Sequence, residues 1–213
     1  MNGIMGFADL ITHQETDEEQ RQTYKKEIQN ACNQLLFIIN DILDISTIET
    51  GKVPLKISKV SLQSIINHLK QIFEPIAHEK NINFTIINPN QENILIETDE
   101  LKLAQILSNI INNSIKFTDE GSVELSYSFE KQFIIFSISD TGIGIKPENH
   151  KAVFDRFRQE DYTLNRKHKG TGLGLSISKA FTELLGGEIW FEPNKTKGTT
   201  FYLSIPYNQD KTN

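Results

Sequence analysis

Apolar residues Ile28, Ala31, Leu35, Ile38, Ile42 and Ile45 recur at alternating spacings of three and four, the seam of a coiled-coil-like helix. Leu36, Ile39 and Leu43 make a second stripe beside it. The pattern predicts a long helix from about Glu18 to Glu49, started by the polar capping turn Thr16-Asp17-Glu18-Glu19 and stopped at Gly51. Residues 1–13 read as the end of an earlier helix. A helix with two adjacent apolar stripes needs more than one neighbour, so the expectation is half of a four-helix bundle, completed by dimerisation.

After Pro54 the period changes. Val53–Val60, Ile82–Ile87 and Ile94–Glu97 read as strands, with a helix started by Ser61 between the first two. Thr98-Asp99 caps a helix to about Phe117. Val123–Phe129 and Phe133–Ser139 form a hairpin through Glu130-Lys131. A helix over 171–185, stopped by Gly186-Gly187, precedes the strands Ile189–Phe191 and Thr199–Ile205, which are joined by Pro193-Asn194-Lys195. The expected fold class is α+β: a helical hairpin over 1–52, an α/β sandwich over 53–207 with one sheet backed by helices, and a tail over 208–213.

Composition narrows the function classes. A net charge of −6 argues against a nucleic-acid partner, which calls for a basic stripe. No apolar run approaches the ~20 residues a membrane helix needs, and the N-terminus has no signal-peptide pattern. A single cysteine, Cys32, excludes an internal disulfide and a multi-cysteine zinc site, and points to a reducing, cytoplasmic setting. Cys32 lies in the helical pattern and reads as a packing residue.

Three stretches carry the chemistry. Asp140 ends a buried-looking strand and leads into Gly142 and Gly144, glycines that let backbone and ligand approach without a Cβ. A carboxylate there can accept from an exocyclic amine such as adenine's, or simply cap an Asx turn. Asn109, Asn113 and Lys116, spaced four and three apart, share one helix face. An Asn oxygen suits Mg²⁺, which keeps most of its waters, and Lys116 can reach a phosphate. Opposite them Ile106, Leu107, Ile110 and Ile111 face the core. Gly170, Gly172 and Gly174 open a helix, whose N–H groups hold anions. Their spacing matches neither the dinucleotide fingerprint nor a P-loop. The polar, basic stretch Gln159–Lys169 between the glycine loops, with Arg166, reads as a mobile lid or a surface loop.

These motifs resemble the sensor histidine kinases of two-component signalling over nearly the whole chain. Asn109–Thr118 is similar to the family's N box, Asp140–Gly144 to its first glycine box, and Phe154–Phe157 to the F box that hinges the ATP lid. Gly170–Leu175 is similar to the second glycine box and Gly198–Phe201 to the last glycine strand. Residues 2–10 and 40–52 resemble the dimerisation and histidine-phosphotransfer hairpin. The resemblance implies a Bergerat-type ATP fold with ATP and Mg²⁺ as cofactors. Asp140 would contact adenine, Asn113 ligate Mg²⁺, and Asn109 and Lys116 support the phosphates. Gly142, Gly144, Phe154, Phe157, Arg166, Gly170, Thr171, Gly172, Leu173, Gly174 and Thr199 would complete the nucleotide site. The implied partners are a second copy of the chain and a response-regulator receiver domain. The implied location is the cytoplasm, in a parent protein that an inner-membrane anchor could hold.

One departure concerns the phosphoacceptor. In the family a histidine motif directly precedes the equivalent of Met1-Asn2-Gly3-Ile4. The hairpin is therefore expected to be truncated, with the acceptor outside this sequence and no autophosphorylation by the chain itself. His13, His68, His78, His150 and His168 read as surface or packing residues. Two other functions stay open, and the missing acceptor favours the second of them for the chain taken alone. A related ATPase that activates water would carry a glutamate where Asn109 stands. A non-enzymatic dimerising module would bind ATP or a regulator without turnover.

Overall fold

The computed structural model describes residues 2–12, 17–51, 53–87, 94–157 and 171–207. The chain divides into two compact units, Met1–Val53 and Pro54–Asn213.

The first unit is a helical hairpin of α1 (Asn2–Thr12) and α2 (Glu18–Glu49). Asp17 caps α2 by accepting from the Gln20 N–H at 2.7 Å, and Gly51 follows its C-terminus at φ +65°. Phe7 stacks on Tyr24 at 5.7 Å to join the two helices. α2 has 32 residues against 11 in α1, so most of its length lacks a partner within the unit. Leu36, Ile39, Ile42 and Leu43 stay between 44% and 59% exposed. Cys32 is exposed as well, which corrects its reading as a packing residue; it lies beyond the stretch that α1 can cover. By length and composition α2 is the one helix among the described residues that could cross a membrane, a criterion that core helices also meet. Its apolar residues form stripes broken by Asn40, Asp41 and Asp44, unlike a helix apolar all round.

The second unit is the expected layered α+β fold. Its main sheet combines β2 (Ile82–Ile87), β4 (Gly121–Glu130), β5 (Phe133–Asp140), β6 (Ile189–Pro193) and β7 (Thr199–Pro206) in the order β2-β4-β5-β7-β6. Only β2–β4 is parallel. Helices α3 (Leu62–Glu79), α4 (Glu100–Lys116) and α5 (Gly174–Leu184) supply the second layer. Ile106, Leu107, Ile110 and Ile111 of α4 are fully buried, as are Phe136, Leu203 and Phe181.

The structure differs from the sequence expectations at four places. β3 (Leu95–Thr98) does not join the main sheet but pairs antiparallel with β1 (Ser58–Ser61) in a separate two-stranded sheet. Val53–Ile57 is not strand. Pro54 has no N–H to donate, and the Lys56 N–H is spent on Asp99 Oδ2 at 2.8 Å. The helix expected over 171–185 begins only at Gly174, because Gly172 adopts φ +70°. The expected hairpin turn moves by one residue, to Lys131-Gln132, with Lys131 at φ +54°.

Candidate functional site

The alternation of β5 explains where its last residue lies. Ile134, Phe136 and Ile138 face the helices, and the same period of two turns Asp140 inward, where it is 6% exposed. Three donors meet its carboxylate. Oδ1 accepts from the N–H of Gly142 at 2.9 Å and of Thr199 at 3.2 Å. Oδ2 accepts from the Ser114 hydroxyl at 3.2 Å. Burial raises the Asp140 pKa above the ordinary carboxylate range, and these three hydrogen bonds pull against that rise. A carboxylate has about four acceptor sites, so Oδ2 keeps capacity for a further donor.

Asp99 caps α4, accepting from the Lys102 N–H at 3.1 Å. The core stripe Leu103, Leu107, Ile110 continues to Ser114, which is how that hydroxyl comes to face Asp140. On the neighbouring face Asn113 is half-buried, and its side chain makes no hydrogen bond among the described residues. Lys116 is half-buried, 4.8 Å from the centroid of the Phe117 ring. Burial, and next the Lys80 ammonium, lower its pKa. Lys80 itself donates to the Ile115 carbonyl at 3.0 Å, a favourable cation at the C-terminal end of α4.

Asn109 lies apart from Asn113 and Lys116 in its contacts. It is 8% exposed, and its Nδ2 is 3.3 Å from both Gly174 O and Ser178 Oγ, tying α4 to the first turn of α5. α5 has no side-chain cap at Leu173. Thr171 Oγ1 instead accepts from the Leu173 N–H at 3.2 Å, closing a turn around Gly172. Phe157, 70% exposed at φ +58°, donates its N–H to Gly172 O at 3.1 Å. Phe154 rests 6.3 Å from Phe191, with Lys179 above its ring. Arg166, Gly170 and the whole lid reading of Gln159–Lys169 lie outside the described residues, as do His13, His168 and the tail.

The glycines have different causes. A Cβ on Gly142 would stand 2.4 Å from the Phe117 carbonyl oxygen and 2.9 Å from Thr118 Oγ1. Protein backbone by itself requires this glycine. Gly144 needs φ +75°. A Cβ on Gly174 would make only ordinary contacts with Asn109. Gly142→Ala is thus expected to cost about 2–3 kcal/mol, the scale of overpacking against backbone that cannot yield. A lowered urea midpoint would show it; an unchanged midpoint would contradict the contact.

Of the residues expected at the site, the structure joins Asp140, Gly142 and Thr199 directly, and Asn109 with Gly174. Thr199 is 2% exposed and acts on Asp140 through its backbone. Ser114 and Asn194 were not singled out in the sequence. Ser114 carried a signal, a hydroxyl on an apolar stripe one residue after Asn113. Asn194 carried none beyond a turn.

Residues 98–209 match the family described as histidine kinase-, DNA gyrase B-, and HSP90-like ATPase. Residues 1–51 match the His Kinase A (phospho-acceptor) domain. The chain is 39% identical to the autoinducer 2 sensor kinase/phosphatase LuxQ of Vibrio vulnificus over 97% of its own length and 25% of LuxQ. It therefore spans about a quarter of the curated relatives it matches. Among solved structures, full-length ShkA in complex with AMPPNP superposes with a TM-score of 0.76 at 29% identity, over 97% of this chain and 42% of ShkA. Histidine kinase ThkA in complex with response regulator protein TrrA gives 0.69 at 25% identity, over 98% of this chain and 57% of that one.

Proposed function

Because the chain belongs to the two-component sensor histidine kinases, with the ATPase fold those kinases share with DNA gyrase B and HSP90, we propose that it is a catalytic core that binds Mg-ATP and transfers the γ-phosphoryl group to a histidine. The observation that carries this reading is the buried carboxylate of Asp140, held by three donors beside a helix that offers an unspent amide and a half-buried ammonium.

Asp140 accepts from the adenine amine through the capacity left on Oδ2. Gly142 and Gly144 carry the chain past the base. Asn113 offers Mg²⁺ one oxygen, which fits an ion that takes few protein ligands. Bound there, Mg²⁺ would neutralise phosphate charge as transfer proceeds. Lys116 holds a phosphate oxygen as a point charge, and an approaching anion favours the charged form that burial opposes. Asn109 fixes the first turn of α5, so that the N–H groups after Leu173 stay aimed at the phosphates. Thr171 and Gly172 shape that opening, and the Phe157 N–H holds the Gly172 carbonyl in place. Phe154 and Phe157 complete the nucleotide site in this reading.

At Asn109 an amide cannot take a proton from water, so the site favours transfer over hydrolysis. The accepting histidine is none of His68, His78 or His150. None of the three lies on the hairpin that matches the phospho-acceptor domain, and His150 spends its Nε2 on the Ile145 carbonyl at 3.0 Å. The exposed stripe of α2 is assigned to a second copy of the chain, and the hairpin to a response-regulator receiver domain. A monomer in sedimentation velocity would overturn the first assignment. A cytoplasmic location belongs to the same reading, supported by the lone free Cys32, which has no second cysteine in the chain to pair with.

The test is calorimetry of ATP with and without Mg²⁺, followed by label transfer from γ-labelled ATP to an intact kinase partner bearing the acceptor histidine. Metal-dependent binding with acid-labile transfer is expected. Binding without any transfer would leave the non-enzymatic module as the function; no binding would overturn the nucleotide reading.

A further inference from the structure

The turn between β6 and β7 grips the backbone of Asp140 as well as its carboxylate. Asn194 Nδ2 donates to the Asp140 carbonyl at 2.7 Å, across 54 residues of sequence. Longer contacts run from the same nitrogen to Ser139 Oγ at 3.4 Å and the Lys197 carbonyl at 3.5 Å. The other end of the amide is also held, since the Thr200 hydroxyl donates to Asn194 Oδ1 at 2.7 Å and lies 3.0 Å from Ser139 Oγ. The Asn194 N–H closes the turn on the Gly198 carbonyl at 3.1 Å. A Cβ on Gly198 would overlap the Asp140 carbonyl oxygen, so the turn lies flush on that peptide.

From this geometry we infer that Asn194 is a positioning residue for Asp140, and through it sets how strongly the site discriminates a purine that carries a 6-amino group. The inference rests on Asp140 as the reader of adenine. The physical reason is the terminal position of Asp140. It is the last residue of β5, beyond the last register pair of β5 with β7, Ser139↔Thr200. No β5–β7 ladder bond fixes its carbonyl, and the Asn194 amide supplies that bond instead. The required group must donate to Asp140 and accept from Thr200 at once. An amide does both and a carboxylate does not. With the carbonyl released, the peptide that leads into Gly142 can rotate, and the carboxylate rotates with it. Affinity for the amine depends on a hydrogen bond of narrow geometry. Contacts to ribose and phosphates do not depend on this peptide.

The test compares binding of ATP and of purine riboside 5′-triphosphate, which lacks only the 6-amino group. Three variants are compared with the unmodified chain: Asn194→Ala, Asn194→Asp and Thr200→Val. Asn194→Asp keeps the volume, removes the donor and sets an acceptor against the Asp140 carbonyl. Thr200→Val removes only the hydroxyl that orients the amide. It keeps the test open if changes at 194 prevent folding, which urea midpoints report. In the folded variants, ATP affinity is expected to fall about tenfold, the scale of one buried hydrogen bond, while the 6-deamino nucleotide binds unchanged. Thr200→Val should show a smaller fall of the same kind. Equal weakening of both nucleotides, or no change in either, would overturn the inference. If the unmodified chain itself ignores the amino group, the reading of Asp140 fails, and this inference with it.

Discussion

Asp140→Asn is expected to lower ATP affinity by two to three orders of magnitude while leaving the fold intact. The replacement is isosteric, and the local network accepts it. Its Oδ1 can still receive the N–H groups of Gly142 and Thr199, which now meet Asp140 Oδ1. Its Nδ2 then stands where Oδ2 was and can donate to the Ser114 hydroxyl, reversing a bond that a rotating O–H tolerates. Toward the adenine amine the reversal is not tolerated, because an N–H₂ faces an N–H₂. A hydrogen bond to a charged group is lost, and a buried donor is left unmet. The two together amount to about 3–4 kcal/mol. Calorimetry with ATP measures the loss, and an affinity within about threefold of the unmodified chain, a difference of about 0.6 kcal/mol, would remove Asp140 from the site.

Stability should move the other way. Burial raises the Asp140 pKa, so the anion is less favourable in the folded chain than in the unfolded one. Such a group contributes fully to stability below its unfolded pKa and loses that contribution as pH rises through the folded value. At neutral pH the carboxylate is therefore a burden on the fold that an asparagine lifts. An unchanged or raised urea midpoint for Asp140→Asn, beside the lost affinity, fits a residue kept for binding at some expense of stability.

The helix and strand that build the site were legible because their periods are local. An apolar stripe with Asp99 before it announced α4, and alternation along β5 carried Asp140 inward. The ties that orient Asp140 were not legible. Ser114 and Asn194 reach it across 26 and 54 residues, and a hydroxyl on an apolar stripe or an asparagine in a turn has a local role that fits equally well. The second sheet is not legible for the same reason. β1 and β3 have ordinary strand patterns, and only their antiparallel register, Val60 opposite Ile96, separates them from the main sheet. Gly142 stands out in the sequence as a glycine that lets a ligand approach, and the further limit that the Phe117 carbonyl sets on it is not legible there. The exposure of Cys32 is not legible either, because a residue in a helical pattern shows no sign of how far the partner helix extends.

Asn113→Ala is expected to lower the rate of phosphoryl transfer by about two to three orders of magnitude, or about 3–4 kcal/mol, the scale of losing one preorganised charge-stabilising group at a reacting phosphoryl. The helix should not suffer. Alanine is the better helix former, and the Asn113 side chain has no hydrogen-bond partner among the described residues, while its backbone carbonyl still accepts the Phe117 N–H at 2.9 Å. The loss should therefore be confined to what the amide oxygen offers Mg²⁺. Nucleotide binding without metal is expected to be unchanged, and the added affinity that Mg²⁺ gives the unmodified chain should disappear. Asn109→Ala should behave differently, because the amide of Asn109 holds α5. That variant should weaken nucleotide binding with and without Mg²⁺ alike. Measuring transfer rate, metal-free affinity and metal-linked affinity on both variants separates an ion ligand from a helix tie. If Asn113→Ala keeps its full metal dependence, Mg²⁺ must be held by other groups, and the unspent amide beside Lys116 would need another explanation.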